Sequence, residues 1–387
     1  MIRVIPFFLV FMLPAMLVLG VERGGAWTLA PVLFSFGVIP ILDVVLEQRR
    51  ENPGDPERAE HDWGVGAPGE SLGGRPAHRR ASDDDPKGYR RVFDVPVLAW
   101  VPVQLAATIY VLHGCVRGDR SGLEIAALVL SLGIVNGAGG INLAHELMHR
   151  KHPLHRAAAE MLMTSVSYTH FCVEHVLGHH RHVATPEDPA SSRLGESFYR
   201  FYPRTVIGGL RSAWALEGER CRSRGLSSFD LRNRRLRYPL VLAAVYVGVS
   251  LLFGPLGLGL FVAQGVIAFS LLEVINYIEH YGLARRRLAS GKYERVRPEH
   301  SWNSAHRVSN YYLFNLARHS DHHYLASREY DRLRHRDDAP QLPTGYAGML
   351  LLALVPPLWF RVMDPRVQAW NARAGADPQV VDAAIAV

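Results

Sequence analysis

Cysteine is scarce in this sequence of 387 residues, which contains only Cys115, Cys172 and Cys221 and no CxxC pair. This scarcity argues against a disulfide framework, a thiolate zinc finger and an iron–sulfur cluster. Lysine is scarce as well, since only three of the 43 basic residues are lysines, and the formal net charge is +7. A basic balance of this size predicts an anionic partner such as nucleic acid, lipid headgroups or an acidic protein.

Long apolar runs, by contrast, recur six times. A bilayer core of about 30 Å requires roughly 17–25 apolar residues per helix, and all the runs but the fifth reach or approach that length. We therefore predict an all-α integral membrane bundle of six transmembrane helices arranged as three hairpins. The first run could instead be a signal peptide, but it lacks a clear small-x-small cleavage site. The runs are residues 4–19, 27–46, 95–112, 123–143, 239–253 and 258–277.

The arginines indicate which side of the membrane each segment faces. Segments 47–91 and 144–238 hold nine and fifteen Lys or Arg residues, whereas the three hairpin turns hold only Arg23, Arg117 and Arg120. By the positive-inside rule, both long segments and both termini are predicted to be cytoplasmic. Much of the basic surplus then serves topology and attraction to lipid headgroups, and no nucleic-acid motif is visible.

Histidine is abundant, with 19 copies, and nine of them fall into four short clusters. Two histidines four positions apart on a helix share one face, as chelation of a single metal requires. This spacing occurs in HELMH, EHVLGHH and HSDHH, whereas NYIEHYG holds one histidine at the inner end of the sixth apolar run. The nine are His145, His149, His175, His179, His180, His280, His319, His322 and His323.

Several interpretations compete for these clusters. HExxH alone matches a zinc-protease signature, which would leave seven histidines unexplained, and a lone histidine such as His280 is more often a capping or core residue. The joint occurrence favours one shared metal site, because the fourth and sixth helices run in the same direction and bring their histidines to the same face. Nine nitrogens exceed the four ligands of one zinc and suit two metals with open positions. A metal transporter or store would instead place histidines within the spans.

Polar side chains near the clusters are candidates to orient the histidines. Ligating imidazoles need an acceptor on their other nitrogen, and charged residues inside a membrane span are usually functional. Asn276 and Glu273 lie one and two turns before His280 and share its helical face. For Glu146 and Glu174, a solvated helix surface is the alternative. The predicted orienting residues are Glu146, Glu174, Asp188, Glu273, Asn276, Glu279 and Asp321.

The three longer boxes resemble those of a known superfamily. HELMH, EHVLGHH and HSDHH are similar to the boxes of the integral-membrane fatty acid desaturase/hydroxylase superfamily. NYIEHYGL (276–283) and YERVRPEHSWNS (293–304) narrow the resemblance to the alkane 1-monooxygenases, the membrane di-iron alkane ω-hydroxylases. The resemblance extends from about the third apolar run to Val367. Ala317 and Met148 depart from the family's usual Gln and Gly, but no histidine is missing.

The resemblance implies that the nine histidines bind two iron ions. It implies oxygen-dependent terminal hydroxylation of medium-chain n-alkanes to 1-alkanols, which consumes two electrons and two protons for each O2. The C-terminal segment has no cysteine and so no fused rubredoxin, and the expected donor is a separate rubredoxin with its NADH-dependent reductase. Four neighbouring arginines offer either a docking surface for an acidic rubredoxin or a positive-inside anchor. They are Arg232, Arg234, Arg235 and Arg237.

Related activities stay open as alternatives. A xylene-type methyl hydroxylase or an acyl desaturase would share the same superfamily, and a metal transporter or store is the non-enzymatic alternative. The expected location is the inner membrane, with a cytoplasmic helical cap that holds the histidines. The expected organisation is a first transmembrane hairpin over 1–46, a flexible cytoplasmic linker over 47–91, a catalytic domain over 92–367 and a C-terminal tail over 368–387.

Overall fold

The computed structural model describes residues 2–53 and 87–374, and within these ranges the chain forms helices and connecting turns without any strand. Five helices are long and apolar enough to cross a membrane, so the predicted all-α membrane bundle is confirmed. They are α1 (Arg3–Arg23), α2 (Gly25–Val45), α3 (Lys87–Arg117), α4 (Gly122–Met148) and α8 (Arg234–His280).

Shorter helices form a cap at one end of this bundle. Three of them connect α4 to α8, and four follow α8. They are α5 (Pro153–Ser165), α6 (171–182), α7 (Phe198–Ser223), α9 (Arg307–Tyr312), α10 (His319–Tyr324), α11 (Tyr346–Ala353) and α12 (Pro356–Ala374).

At the opposite end of the bundle, a hydrogen bond joins the α1–α2 turn to the α3–α4 turn. The α1–α2 turn reverses at Gly24, whose φ of 64° lies in the region that favours glycine. Ser121 begins α4 with a capping box, in which its hydroxyl accepts the Glu124 N–H while the Glu124 carboxylate accepts the Ser121 N–H. Glu124 also accepts a hydrogen bond of 2.8 Å from the Gly25 N–H, which joins the two turns.

Helix α8 comprises two arms. It contains 47 residues, or about 70 Å of helix, which is roughly twice the thickness of a bilayer core. Gly254 interrupts it with a φ of 68° and a ψ of −174°, and Pro255 follows directly. The break coincides with the turn predicted between the fifth and sixth apolar runs.

A bent pair of helices near the C-terminus has no counterpart among the predicted spans. Helices α11 and α12 pass the length and hydropathy test only together, and they meet at an angle of 120°. Such a pair is either a broken span or a re-entrant loop. Helix α12 also continues past position 367, so the first residues of the predicted tail are helical.

Most of the predicted linker over 47–91 lies outside the described residues. Its first residues contact the cap, because the Arg49 N–H donates a 2.7 Å hydrogen bond to the Ala305 carbonyl oxygen. The His335 N–H likewise donates to the Asn52 side chain at 2.6 Å. The domain boundaries remain predictions.

A π-helical turn distorts α4 just before its histidines. It covers Asn136–Ile141, and Gly139 lies within it against Trp100. A Cβ atom at Gly139 would lie only 2.1 Å from the indole ring, so glycine is required for this close approach. The contact fixes α4 against α3 six residues before His145.

Candidate metal centre

The nine predicted histidine ligands form two adjacent groups. Within each group, one ligand nitrogen from every residue lies within 4.8 Å of the others. The histidines come from the ends of α4 and α8 and from the short helices α6 and α10, so the structure brings together all four clusters. The five-histidine group is His145, His149, His175, His180 and His322; the four-histidine group is His179, His280, His319 and His323.

A second π-helical turn distributes the histidines of α6 between the two groups. It covers Glu174–His179, and the His180 N–H donates to the His175 carbonyl oxygen. A π turn closes after five residues instead of four, so His175 shares a face with His180. His175 and His179, although four residues apart, therefore do not face the same group. His179 belongs to the four-histidine group and His175 to the five-histidine group.

The Nε2 atoms in each group are spaced as ligands around a metal would be. His175 Nε2 lies 3.0 Å from the Nε2 atoms of His149 and His180. In the other group, His323 Nε2 lies 2.8 Å from that of His319 and 3.2 Å from that of His179. Nitrogens bound about 2.1 Å from a metal, at right angles, are about 3.0 Å apart. The donor set therefore fits metal-bound imidazoles.

Hydrogen bonds between the imidazoles would not satisfy this arrangement. A neutral imidazole nitrogen offers either one proton or one lone pair, yet His175 Nε2 faces two neighbours. His145 Nε2 is buried and has no hydrogen-bond partner among the described residues. Burial lowers the pKa of His149 to about 4 and also lowers the pKa values of His175 and His322. These imidazoles are therefore neutral at pH 7, as metal binding requires.

Asp188 contacts one imidazole of the four-histidine group. Its Oδ2 lies 2.9 Å from His179 Nδ1 and accepts a 2.6 Å hydrogen bond from the Ser191 hydroxyl, while Oδ1 accepts the Ala190 N–H at 3.1 Å. Burial opposes both charges, but the attraction between the two groups outweighs it, which raises the pKa of His179 and lowers the pKa of Asp188. The Nδ1 proton of His179 is thereby held toward Asp188, and Nε2 is left free for a metal.

Glu279 approaches the same group from another direction. Its Oε2 lies 3.1 Å from His319 Nε2, and its Oε1 accepts a 2.8 Å hydrogen bond from the Tyr346 hydroxyl. Asp188 meets the outward nitrogen of its histidine, whereas Glu279 meets the nitrogen that faces the other ligands. Glu279 therefore lies beside the position that a metal would occupy.

Two other predicted orienting residues bond to each other instead of to a histidine. Glu273 accepts hydrogen bonds from Tyr168 at 2.8 Å, Thr205 at 2.9 Å and Asn276 at 3.2 Å. This network joins α8 to α7 and to the turn before α6, and it satisfies a carboxyl group that is buried in a membrane-spanning helix.

The last three predicted orienting residues also hydrogen bond no histidine among the described residues. Glu146 pairs with Arg150 at 2.7 Å. Asp321 is fully buried, and it holds Arg328 and the Arg334 N–H. Glu174 is buried beside α7, and burial raises its pKa to about 7.

Arg318 is a positioning residue that was not predicted from the sequence. The only sequence feature that could have indicated it is its place directly before the HSDHH box. Its guanidinium is fully buried and donates to the carbonyl oxygens of Leu333 at 2.6 Å and Glu51 at 2.9 Å. Burial lowers its pKa to about 9. Arg318 therefore ties α10 to the segment that follows α2.

An apolar cavity extends from the histidines into the bundle. It contains about 810 Å³ of empty space, including its open mouth. His145, His175, His319 and Glu279 lie at its polar end. Along α8 the lining runs from Leu271 to Glu279, a length of about 12 Å. The walls include Phe36, Ile134, Ala138, Ile141, Leu272, Ile275, Leu313, Ala347 and Leu350.

The run of arginines at the start of α8 is partly neutralised. Arg237 pairs with Glu160 at 2.7 Å, and Arg234 approaches the same carboxylate at 3.6 Å. Arg232 pairs with Asp230 at 2.6 Å but keeps 75% of its side chain exposed. Arg232 is therefore the most accessible of these three charges.

Comparisons with known proteins identify the relatives of the chain. The fatty acid desaturase family matches residues 123–353, more than half of the sequence. Alkane 1-monooxygenase 2 of Pseudomonas aeruginosa is 43% identical over 367 residues, which cover 94% of this chain and 90% of that protein. Alkane 1-monooxygenase 1 of the same organism is 41% identical over 347 residues, which cover 89% and 84%.

A protein that is named for a different activity is also similar. The xylene/toluene monooxygenase hydroxylase component of Pseudomonas putida is 32% identical over 253 residues, which cover 65% of this chain and 67% of that protein. The alkane 1-monooxygenase relatives share 37–45% identity over most of the chain, so the resemblance inferred from the histidine boxes is confirmed. The chain therefore belongs to the fatty acid desaturase family, as a relative of the alkane 1-monooxygenases.

Proposed function

We propose that this protein hydroxylates the terminal carbon of medium-chain n-alkanes with dioxygen, giving 1-alkanols at a non-haem di-iron centre. The observation that carries the proposal is the apolar cavity that ends at His145, His175 and His319. His145 and His175 belong to the five-histidine group and His319 to the four-histidine group, so the cavity reaches both groups. A straight alkane that lies lengthwise in this cavity presents its terminal carbon to the histidines. The alkane 1-monooxygenase relatives support the same reaction.

The nine histidines would hold the two irons through Nε2, five on one and four on the other. Imidazole suits iron, and a di-iron centre supplies activation of dioxygen and transfer of one oxygen atom to a C–H bond. Asp188 keeps the Nδ1 proton of His179 turned away from the metal. The apolar walls exclude water and orient the alkane, and Tyr346 holds the Glu279 carboxylate where the cavity meets the four-histidine group.

We further propose that a separate rubredoxin, reduced by its NADH-dependent reductase, supplies the electrons. An acidic rubredoxin would be attracted to the basic face of the cap. The ion pairs of Arg234 and Arg237 with Glu160 favour an anchoring role for these two residues, whereas Arg232 is exposed enough to meet a partner.

The proposed location is the inner membrane, with the cap and both termini in the cytoplasm. The support is the arginine distribution, since segments 47–91 and 144–238 hold nine and fifteen Lys or Arg residues, whereas the three hairpin turns hold only three. In this orientation the histidine groups face the compartment that supplies reduced electron carriers.

Hydroxylation of a methyl group on an aromatic ring is the second candidate. It is favoured by the 32% identical relative, which is a xylene/toluene monooxygenase hydroxylase component. An acyl desaturase or a metal transporter or store is less well supported. A store would need accessible metal sites, whereas every member of the four-histidine group is buried.

Product analysis separates these reactions. Purified protein loaded with iron is incubated with rubredoxin, its reductase, NADH and oxygen. The substrates are n-alkanes of increasing length, with p-xylene as the methyl-arene control. We expect 1-alkanols as the main products, with labelled oxygen incorporated from O2.

Other outcomes would contradict the proposal. Alkenes or desaturated acyl chains would indicate a desaturase, and turnover of p-xylene well above every alkane would favour the methyl hydroxylase. Turnover that persists without oxygen, or that requires zinc instead of iron, would exclude a di-iron oxygenase.

A further inference from the structure

Helix α7 presents an apolar stripe that is about half exposed, and the Arg235 guanidinium lies over the Trp214 ring at its far end, 5.6 Å from the ring centre. Tyr199, Ile207, Leu210 and Trp214 are 59%, 51%, 50% and 51% exposed, and Pro203 between them is exposed as well. These five positions are spaced by three or four residues, so they lie along one face of the helix. An exposed apolar stripe of this length marks an interaction surface.

The opposite face of α7 packs on α8. The Tyr202 hydroxyl lies 2.7 Å from that of Ser270, and Thr205 donates a 2.9 Å hydrogen bond to Glu273. Beyond the stripe, Glu217 lies on the stripe's side of α7, seven residues after Leu210, and accepts a 2.8 Å hydrogen bond from the Arg234 N–H. Helix α7 thus contacts both arms of α8.

These contacts determine how α7 lies relative to the bundle. Arg234 is the first residue of the outgoing arm, and Glu273 lies seven residues, or about 10 Å, from the end of the returning arm at His280. Both positions belong to the same end of the α8 hairpin. Helix α7, with 26 residues, therefore lies across the end of the hairpin, and it is not among the candidate spans.

The stripe continues onto the bent pair α11–α12. The Tyr199 hydroxyl donates a 2.8 Å hydrogen bond to the Leu354 carbonyl oxygen at the bend. Leu354, Val355 and Leu358 are 38–51% exposed there. One apolar surface therefore joins α7 to a helix pair that is, taken together, long and apolar enough to enter a membrane.

Basic residues flank the stripe. Arg200 and Arg211 are exposed and eleven residues apart, so they point to the same side of the helix, close to three full turns apart. Interfacial helices combine an apolar face with Lys or Arg beside it and with Tyr or Trp at the headgroup level. The stripe, the arginines and the position at the hairpin end all match this class.

We propose that α7 lies in the membrane interface. The stripe Tyr199–Trp214 contacts the boundary of the acyl chains, and Arg200 and Arg211 contact anionic headgroups. The apolar face of such a helix reaches roughly 5–10 Å into the boundary layer. Helix α7 then anchors the cap on the bilayer, in contact with the buried carboxyl network around Glu273.

Spin labelling of the full-length protein in nanodiscs tests this placement. A nitroxide is attached to Ile207→Cys on the stripe and, as a matched control, to Glu219→Cys, which is exposed on α7 outside the stripe. The native cysteines are buried, so wild-type protein that is treated with the same nitroxide reagent provides the background. Collision rates are measured with oxygen, which concentrates in lipid, and with a water-soluble nickel chelate.

We expect the label at 207 to collide more with oxygen than with the chelate, and the label at 219 to show the reverse. Removal of anionic phosphatidylglycerol from the disc should reduce the oxygen preference at 207. Equal chelate access at both positions would overturn the proposal. Shielding of position 207 from both reagents would also overturn it, because a second copy or a protein partner would then cover the stripe.

A second measurement, tryptophan fluorescence quenching, uses the wild-type protein with an unchanged stripe as its reference. Brominated lipids quench tryptophan fluorescence on contact, and the quenched component is compared between wild type and Trp214→Phe. We expect this variant to lose part of the lipid-quenchable signal. An unchanged quenchable signal would contradict the interfacial placement of α7.

Discussion

Replacement of Asp188 by asparagine tests whether the four-histidine group binds a metal. The carboxylate accepts three hydrogen bonds, from His179 Nδ1, the Ser191 hydroxyl and the Ala190 N–H. An amide has the same shape but only one acceptor oxygen, so at least one donor will face an NH2 group. The negative charge that holds the Nδ1 proton of His179 is lost as well.

The magnitude follows from these contacts. A hydrogen bond to a charged group contributes about 1.5–3 kcal/mol and a neutral one about 0.5–1.5 kcal/mol. Loss of one bond and of the charge on another therefore costs about 2 kcal/mol, or roughly 30-fold in an equilibrium constant. This agrees with the 10–100-fold loss of metal affinity that is typical when the partner of a ligating histidine is removed.

The assay measures metal affinity directly, without turnover. Iron-loaded Asp188→Asn protein is titrated with a competing chelator and compared with wild type and with Glu187→Gln. Glu187 is the neighbouring carboxylate, is 60% exposed and pairs only with His182, so its replacement should leave metal affinity unchanged. We expect one class of iron to leave Asp188→Asn at lower chelator concentration. Identical titrations for Asp188→Asn and Glu187→Gln would refute the role of Asp188 in holding a metal ligand.

Three further predictions concern the cavity, the bundle and the ligand set. Ala347→Phe should shorten the longest alkane that is hydroxylated, because Ala347 lines the cavity, whereas Leu351→Phe on the exposed face of the same helix should leave the product profile unchanged. Gly139→Ala should destabilise the bundle by about 1–3 kcal/mol in thermal or denaturant unfolding, whereas Gly122→Ala, with open space around it, should not. His280→Ala should lose metal from the four-histidine group and retain it in the other; full occupancy of both by metal analysis would contradict a ligand role for His280.

The membrane bundle was predictable because a helix that crosses lipid needs roughly 17–25 predominantly apolar residues in a row. The break in α8 was also predictable, because Gly254 and Pro255 lie between two apolar runs and cannot continue a regular helix there. The bent pair α11–α12 escaped prediction because α11 has eight residues and α12 carries charged residues. Helix α11 alone is too short for a span, whereas α12, with 19 residues, is long enough but too polar.

The cavity could not be predicted because its lining comes from helices that are distant in sequence. Phe36 lies in α2, Ile134 in α4 and Leu350 in α11, and each is an ordinary apolar residue in its own helix. Only the packing of these helices shows that their side chains face a common space. The orienting role of Asp188 was predicted from its proximity to the boxes, but the same argument also selected Glu146, which pairs with Arg150.

The division of the histidines depends on backbone distortions that residue spacing does not reveal. The π turn Glu174–His179 contains Gly178, where an added Cβ atom would lie 2.6 Å from the Glu174 carboxylate. This turn sends His179 to one group and its neighbours to the other, and α10 likewise supplies both groups. Regular α-helical hydrogen bonding is more favourable than a π turn, so the turn is explained by the ligand geometry that it permits. Because α6 and α10 each contribute histidines to both groups, these two short helices determine the separation of the two histidine groups.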